Sequence, residues 1–141
     1  MALHFSSEEF AQRSRRTMEA LKNRNLDGLL MFRQESMYYL SGYDSFGYVF
    51  FQCLYLGADG RMMLLTRAPD LRQARHTSIL EDIRIWTDGP DANPAKQLKH
   101  ILDDFGCKGR RLGVEYDAYG LTAKNGKLLE AALSDFCILE D

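Results

Sequence analysis

Tyr48-Val-Phe-Phe-Gln-Cys-Leu-Tyr-Leu56, then Gly57-Ala-Asp-Gly60, then Arg61-Met-Met-Leu-Leu-Thr66 is the stretch that decides the fold class. The first nine residues are rich in aromatic and branched side chains, and both of their alternating faces are largely apolar. A strand of that kind must be covered on both sides, which places it centrally in a sheet. The Gly57–Gly60 tetrapeptide is a turn, and residues 61–66 run back as a second apolar strand. The pair is a hairpin and therefore antiparallel.

Upstream, Gly28-Leu-Leu-Met-Phe32 is a short unbroken apolar run, read as another buried strand. It is preceded by a helix that opens at Ser6 and Glu9 as a capping box. That helix carries Phe10, Ser14, Thr17, Met18 and Leu21 on one face. Residues 34–40 read as a short helix stopped by Ser41-Gly42. Downstream, Pro69 opens a helix to Arg75, and residues 83–87 alternate as a strand. Asn93-Pro94 caps a helix whose Leu98, Ile101, Leu102 and Phe105 fall at i, i+3, i+4, i+7. Gly106 ends it. Residues 112–116 form a strand, Thr122 caps a last helix, and residues 136–139 form a final strand. The order α-β-α-β-β-α-β-α-β-α-β predicts a three-layer α/β/α domain. Its sheet is mixed, mostly parallel and of about six strands, a ribonuclease H-like arrangement. The end at Asp141, directly after the last strand, reads as a domain boundary, so residues 1–141 are taken as one domain.

The bulk numbers agree. A chain of 141 residues that is 45% apolar and 27% charged can bury an ordinary core. A net charge of −2 leaves no basic footprint, so no nucleic-acid partner is expected. No apolar run approaches the ~20 residues needed to span a bilayer, so no membrane partner is expected either. Residues 1–9 lack the apolar region of a signal peptide. Cys53, Cys107 and Cys137 are odd in number and form no C-x-x-C pair. They read as core residues in a reduced, cytoplasmic setting.

The search for chemistry finds little. H-E-x-x-H, the P-loop, G-x-G-x-x-G and G-x-S-x-G are all absent. His4, His76 and His100 lack ligand spacing, and surface or capping roles explain them. Glu81-Asp82 and Asp103-Asp104 are sequence neighbours that do not face a common point on a helix. A two-metal nuclease needs carboxylates projecting from central strands, and the long central strand has none. Gly106-Cys-Lys-Gly109 imitates a GxxG nucleic-acid loop, but a helix cap explains Gly106. The unusual region is aromatic: Tyr38, Tyr39, Tyr43, Phe46, Tyr48, Phe50, Phe51 and Tyr55. Most of these rings belong to the core. Residues 41–47 nevertheless form a glycine-bearing aromatic loop carrying Tyr43 and Asp44, and such loops often hold binding residues. Gln52 is a polar amide in a buried strand and must find partners there. Tyr48, Phe50 and Gln52 are expected on one strand face, which could line a ligand.

Asp27-Gly-Leu-Leu-Met-Phe32 followed by Glu35-Ser-Met-Tyr-Tyr-Leu-Ser-Gly-Tyr43 resembles a leucine-rich strand and an N-x-x-Y-L-x-G-(F/W/Y) motif. Arg111-Leu-Gly-Val-Glu-Tyr-Asp117 is similar to the strand (I)-G-(V/I)-E-(F/Y/D)-D of the same family. The first helix with Arg15, Met18 and Leu21 fits too, as does Ser134-Asp-Phe-Cys-Ile-Leu-Glu140. Together they resemble the N-terminal domain of the creatinase, prolidase, aminopeptidase P and ectoine hydrolase family. Ser36 stands where many members have Asn.

The resemblance implies a non-catalytic domain of an Xaa-Pro dipeptidase or creatinase-like hydrolase of C–N bonds. Its partner would be a C-terminal catalytic pita-bread domain, absent from this chain. That domain holds two divalent metal ions (Mn, Co or Zn), unless the parent is creatinase-like and metal-free. No cofactor is expected in residues 1–141, and the chain alone is expected to be inactive. The resemblance further implies a homodimer, a small peptide or amide substrate, and a role in closing the substrate site. The expected substrate-lining set is Tyr43, Asp44, Tyr48, Phe50 and Gln52. One rival reading is a free-standing small-molecule binding module built on the same aromatic segment. Another is a complete enzyme joining Asp44, His76 and a second acid.

Overall fold

The computed structural model describes residues 4–45 and 49–141. Phe46 and Tyr48 lie outside the described residues. The helices are α1 (Ser7–Asn23), α2 (Gln34–Ser41), α3 (Leu71–Thr77), α4 (Pro94–Asp104) and α5 (Ala123–Leu133). The strands are β1 (Gly28–Met31), β2 (Cys53–Gly57), β3 (Met62–Arg67), β4 (Ile83–Trp86), β5 (Arg111–Val114) and β6 (Ile138–Glu140). They follow in the expected order and form one six-stranded sheet, β4-β3-β2-β1-β5-β6. β2 pairs antiparallel with β1 and with β3. The β1–β5, β3–β4 and β5–β6 pairs are parallel.

Both faces of the sheet are apolar, as the unbroken runs require. Leu30, Cys53, Tyr55, Met63, Leu65, Leu112 and Val114 point to one side and pack on Leu98, Ile101, Leu102, Leu129 and Leu133 of α4 and α5. Met31, Leu54, Leu56 and Leu64 point to the other and meet Met37, Leu40 and Ala74 of α2 and α3, with Met18 of α1 packed alongside. Alternation of pleat direction along the same strands produces the three layers.

The expected caps are formed. Ser6 accepts from the Glu9 N–H at 3.1 Å, Asn93 from Lys96 at 3.2 Å and Thr122 from Asn125 at 3.1 Å. α2 ends at Gly42, which is left-handed with φ +83°. A methyl there would sit 2.8 Å from the Thr77 carbonyl oxygen and 3.1 Å from Phe10 Cζ. Gly42→Ala is therefore expected to cost about 2–4 kcal/mol, combining the left-handed penalty with the clash. Chemical denaturation checks this; a cost below about 1 kcal/mol would refute the close approach.

Several boundaries differ from the sequence reading: β5 stops at Val114 rather than at residue 116, and β6 starts at Ile138 rather than at residue 136. The central strand begins at Cys53, five residues later than expected, and residues 51 and 52 lie outside the ladder. The Trp86 indole N–H takes the Phe51 carbonyl at 2.8 Å, and the Gln52 side chain turns into a buried polar cluster. Side-chain donors have replaced ladder partners there. The helix expected from Pro69 starts as a 3-10 turn at Ala68–Asp70 before α3.

All three cysteines are free and buried. Burial pushes the thiols of Cys53, Cys107 and Cys137 up, the last to about 11, and does the same to the Tyr55 hydroxyl. Unfolded thiols ionise near about 8.5, so between that value and the raised ones the folded chain holds more protons than the unfolded chain. Stability is then expected to be flat below about pH 8 and to fall as pH rises toward 11. Urea midpoints at pH 7.5 and 10.5 test the sign; equal midpoints would refute it.

Candidate functional site

One edge of the sheet collects the features that the core does not explain. β1, β3, β4, β5 and β6 all end there and β2 begins there, since Met31 pairs with Leu54 and Cys53 with Leu65. Along this edge the α2–β2 connection is held by a closed polar cluster. The Tyr43 hydroxyl donates to Gln52 Oε1 at 2.9 Å, and the Thr66 hydroxyl donates to the same oxygen at 3.2 Å. Gln52 Nε2 donates to Gln34 Oε1 at 3.1 Å, and Gln34 Nε2 donates to the Tyr43 carbonyl at 2.8 Å. Tyr43, Gln52 and Thr66 have no exposed surface. Burial also pushes the Tyr43 hydroxyl up, so it stays a donor. Ser41 adds a further tie: its hydroxyl donates to Met37 O and accepts from the Tyr43 N–H.

The ends of the connection are pinned to α3 and the turn before it. The Asp44 N–H donates to Thr77 Oγ1 at 3.1 Å, and Gln73 Nε2 donates to Asp44 O at 2.8 Å. The Ser45 hydroxyl donates to Asp70 Oδ1 at 2.9 Å. Asp70 Oδ2 and Arg67 Nε are buried without a hydrogen-bond partner among the described residues. Above this base Val49 and Phe50 face solvent, 62% and 40% exposed. The Arg67 guanidinium lies 3.5 Å from the Phe50 ring centroid and reaches Asp88 Oδ2 at 3.2 Å. Arg67 thus props the ring from beneath.

The five expected lining residues separate into layers. Asp44 and Phe50 are exposed, and Tyr43 and Gln52 lie fully beneath them. Tyr48 is outside the described residues. Phe50 and Gln52 do not share a strand face, because the strand starts after both. No hydrogen bond joins Asp44 to His76 among the described residues. Nor do three His, Cys, Asp or Glu side chains converge there as a metal centre requires. The sequence reading missed Gln34, Thr66, Arg67 and Glu115. A polar residue at the end of an apolar strand was the available signal for Thr66, Arg67 and Glu115.

Glu115 follows β5 and ties it to the start of α2. Its Oε1 accepts from the Phe32 and Arg33 N–H groups, each at 3.1 Å, and its Oε2 accepts from the Ser36 hydroxyl at 2.6 Å. The N-cap position of α2 is Arg33, which gives no side-chain cap. A carboxylate 79 positions from Ser36 anchors that end instead, through the two N–H groups before the helix and the Ser36 hydroxyl in its first turn. Beside it, residues 33–35 and 117–120 line a cavity of about 820 Å³. Among the described residues no helix is long and apolar enough to cross a membrane.

The family model described as the creatinase/prolidase N-terminal domain matches residues 13–139. An uncharacterized hydrolase/peptidase of Sinorhizobium fredii is 30% identical over 138 residues, covering 93% of this chain and 35% of that protein. The ectoine hydrolase of Halomonas elongata is 29% identical over 131 residues, covering 88% and 33%. The chain thus spans about a third of the length of these curated relatives. Among solved structures, an Xaa-Pro aminopeptidase from Streptococcus pyogenes superposes with TM-score 0.73 at 20% identity, covering 96% of this chain and 94% of that one. The creatinase/prolidase N-terminal domain of an X-Pro dipeptidase, also from S. pyogenes, gives 0.72 at 16%, covering 92% of each. At these identities the structural likeness concerns the fold.

Proposed function

The chain belongs to the creatinase/prolidase N-terminal domain family, and on that premise we propose that it is a covering piece for a hydrolytic site supplied by other polypeptide. In this reading it is the non-catalytic domain of an Xaa-Pro dipeptidase or creatinase-like hydrolase, acting in the cytoplasm on a small peptide or amide. It helps build a homodimer and closes over the substrate site of a catalytic domain. Two divalent metal ions would supply Lewis-acid chemistry in that other domain, unless the parent is creatinase-like; no side chain of this chain is assigned to them.

The observation that carries the reading is the layered build of the α2–β2 connection. A buried cluster of Tyr43, Gln52, Gln34 and Thr66 fixes its base, while Val49 and Phe50 stand exposed above it. A ring stacked on Arg67 above this bonded cluster can exclude water and help position a substrate. Tyr43 and Gln52 would then act by positioning, and Phe50 and Asp44 would form the wall. The rival reading of a free-standing binding module on the same aromatic segment would have to use Val49 and Phe50, since the Tyr43 ring has no surface to offer a ligand.

The purified chain, with manganese or cobalt, is expected to turn over no Xaa-Pro dipeptide, creatine or ectoine. Measurable turnover of any of them by a homogeneous preparation would overturn the proposal.

A further inference from the structure

β1 and β5 are parallel neighbours whose following segments part company. The chain leaves β1 into α2 on one face of the sheet and leaves β5 toward α5 on the other. Such a divergence opens a crevice outside the carboxyl ends of the two strands, the place where open α/β sheets bind ligands. Here the crevice is the cavity of about 820 Å³ lined by residues 33–35 and 117–120, a size that suits a small organic molecule.

The lining decides the ligand's charge. The N-terminus of α2 would ordinarily attract an anion, but the Glu115 carboxylate already sits there, accepting from the Phe32 and Arg33 N–H groups that lead into the helix. Arg33 is the cation of the lining, and it is spent on Glu35 at 3.1 Å. Its guanidinium holds its proton more firmly than usual, through the Glu35 hydrogen bond first and then the charges of Glu35, Glu115 and Asp117. Asp117 is exposed and forms no ion pair among the described residues. With Arg33 cancelled by Glu35, the carboxylate of Asp117 leaves the lining net negative. Among the described residues three metal ligands do not converge there, and a single carboxylate in a lining that also holds a phenol ring suits a larger organic cation. Next to Asp117 stands Tyr119, 96% exposed and explained by no packing. A phenol ring beside an uncompensated carboxylate is a pairing that attracts ammonium groups.

We propose that the β1/β5 crevice is a binding site for a small organic cation. Asp117 takes the ammonium or guanidinium group, and Tyr119 covers its apolar part. This inference does not rest on the covering role: the crevice shares Gln34 with the base of the α2–β2 connection, but it needs no catalytic partner.

The test is a two-dimensional NMR titration of the chain with phenethylammonium and, separately, with phenylacetate, which has the same ring and the opposite charge. Phenethylammonium is expected to saturate with a Kd of about 1 mM and to shift the amides of residues 33–35 and 117–120. Phenylacetate should leave them in place. Asp117→Asn and Tyr119→Ala, both at exposed positions, should each weaken binding by about fivefold or more. Arg33→Gln should tighten it by about twofold, because it removes positive charge from the lining. Three results would overturn the proposal: no saturation by about 20 mM, equal shifts with both probes, or shifts that the Asp117 and Tyr119 variants leave unchanged.

Discussion

Gln52→Leu is expected to lower the stability of this domain by about 3 kcal/mol, although leucine fills nearly the same volume. The loss comes from partners. Gln52 Oε1 accepts from the Tyr43 and Thr66 hydroxyls, and Gln52 Nε2 satisfies Gln34. In the variant the two hydroxyls keep only each other, 3.4 Å apart, which leaves one donor unpaired at a position with no exposed surface and Gln34 Oε1 without its donor, and a buried unpaired polar group costs about 1–3 kcal/mol. Removing the partners as well should recover much of the loss. The triple variant Tyr43→Phe, Gln52→Leu, Thr66→Val should therefore be more stable than Gln52→Leu alone, with a coupling energy of about 1–2 kcal/mol. Additive losses across the three sites would contradict a cooperative cluster.

Glu115→Ala should cost a comparable amount, about 3 kcal/mol, seen as a drop in Tm of about 10 °C. Its carboxylate holds two backbone N–H groups and the Ser36 hydroxyl, so its removal strips the segment entering α2 of its acceptor and unties that helix from β5 at once. Ser36→Ala should cost only about 1 kcal/mol, since it deletes one donor. Ser36→Asn should stay within about 1 kcal/mol of the parent, because the amide can still donate to Glu115. A Glu115→Ala loss below about 1 kcal/mol would show the carboxylate to be a surface ornament.

These two sites mark what could be read in the residue order and what could not. The layers were legible because the apolar runs at residues 28–32, 53–56 and 62–65 tolerate no polar face. The helix starts were legible because Ser6, Asn93 and Thr122 act on donors three residues away. The motifs that pointed to the family were legible as strings. Their physical reason was hidden, because Ser36 and Glu115 meet only after folding. Gln52 stood out as a polar residue needing partners, yet its position on a strand face was misjudged. Apolarity continued through Phe50 and Phe51, while Tyr43, brought from nine positions upstream, drew Gln52 out of the ladder. Arg67 gave a weak signal, since a terminal arginine on a strand looks solvated until Phe50 is seen to stack on it.

The covering role makes its sharpest demand on Phe50. In a protein that joins this domain to a catalytic half of the same family, Phe50→Ala should lower kcat/KM by about tenfold, a loss of roughly 1.4 kcal/mol of transition-state binding, with Tm within about 2 °C of the parent. Unchanged kcat/KM in a folded Phe50→Ala protein would mean that the ring covers no active site, and the account would fail.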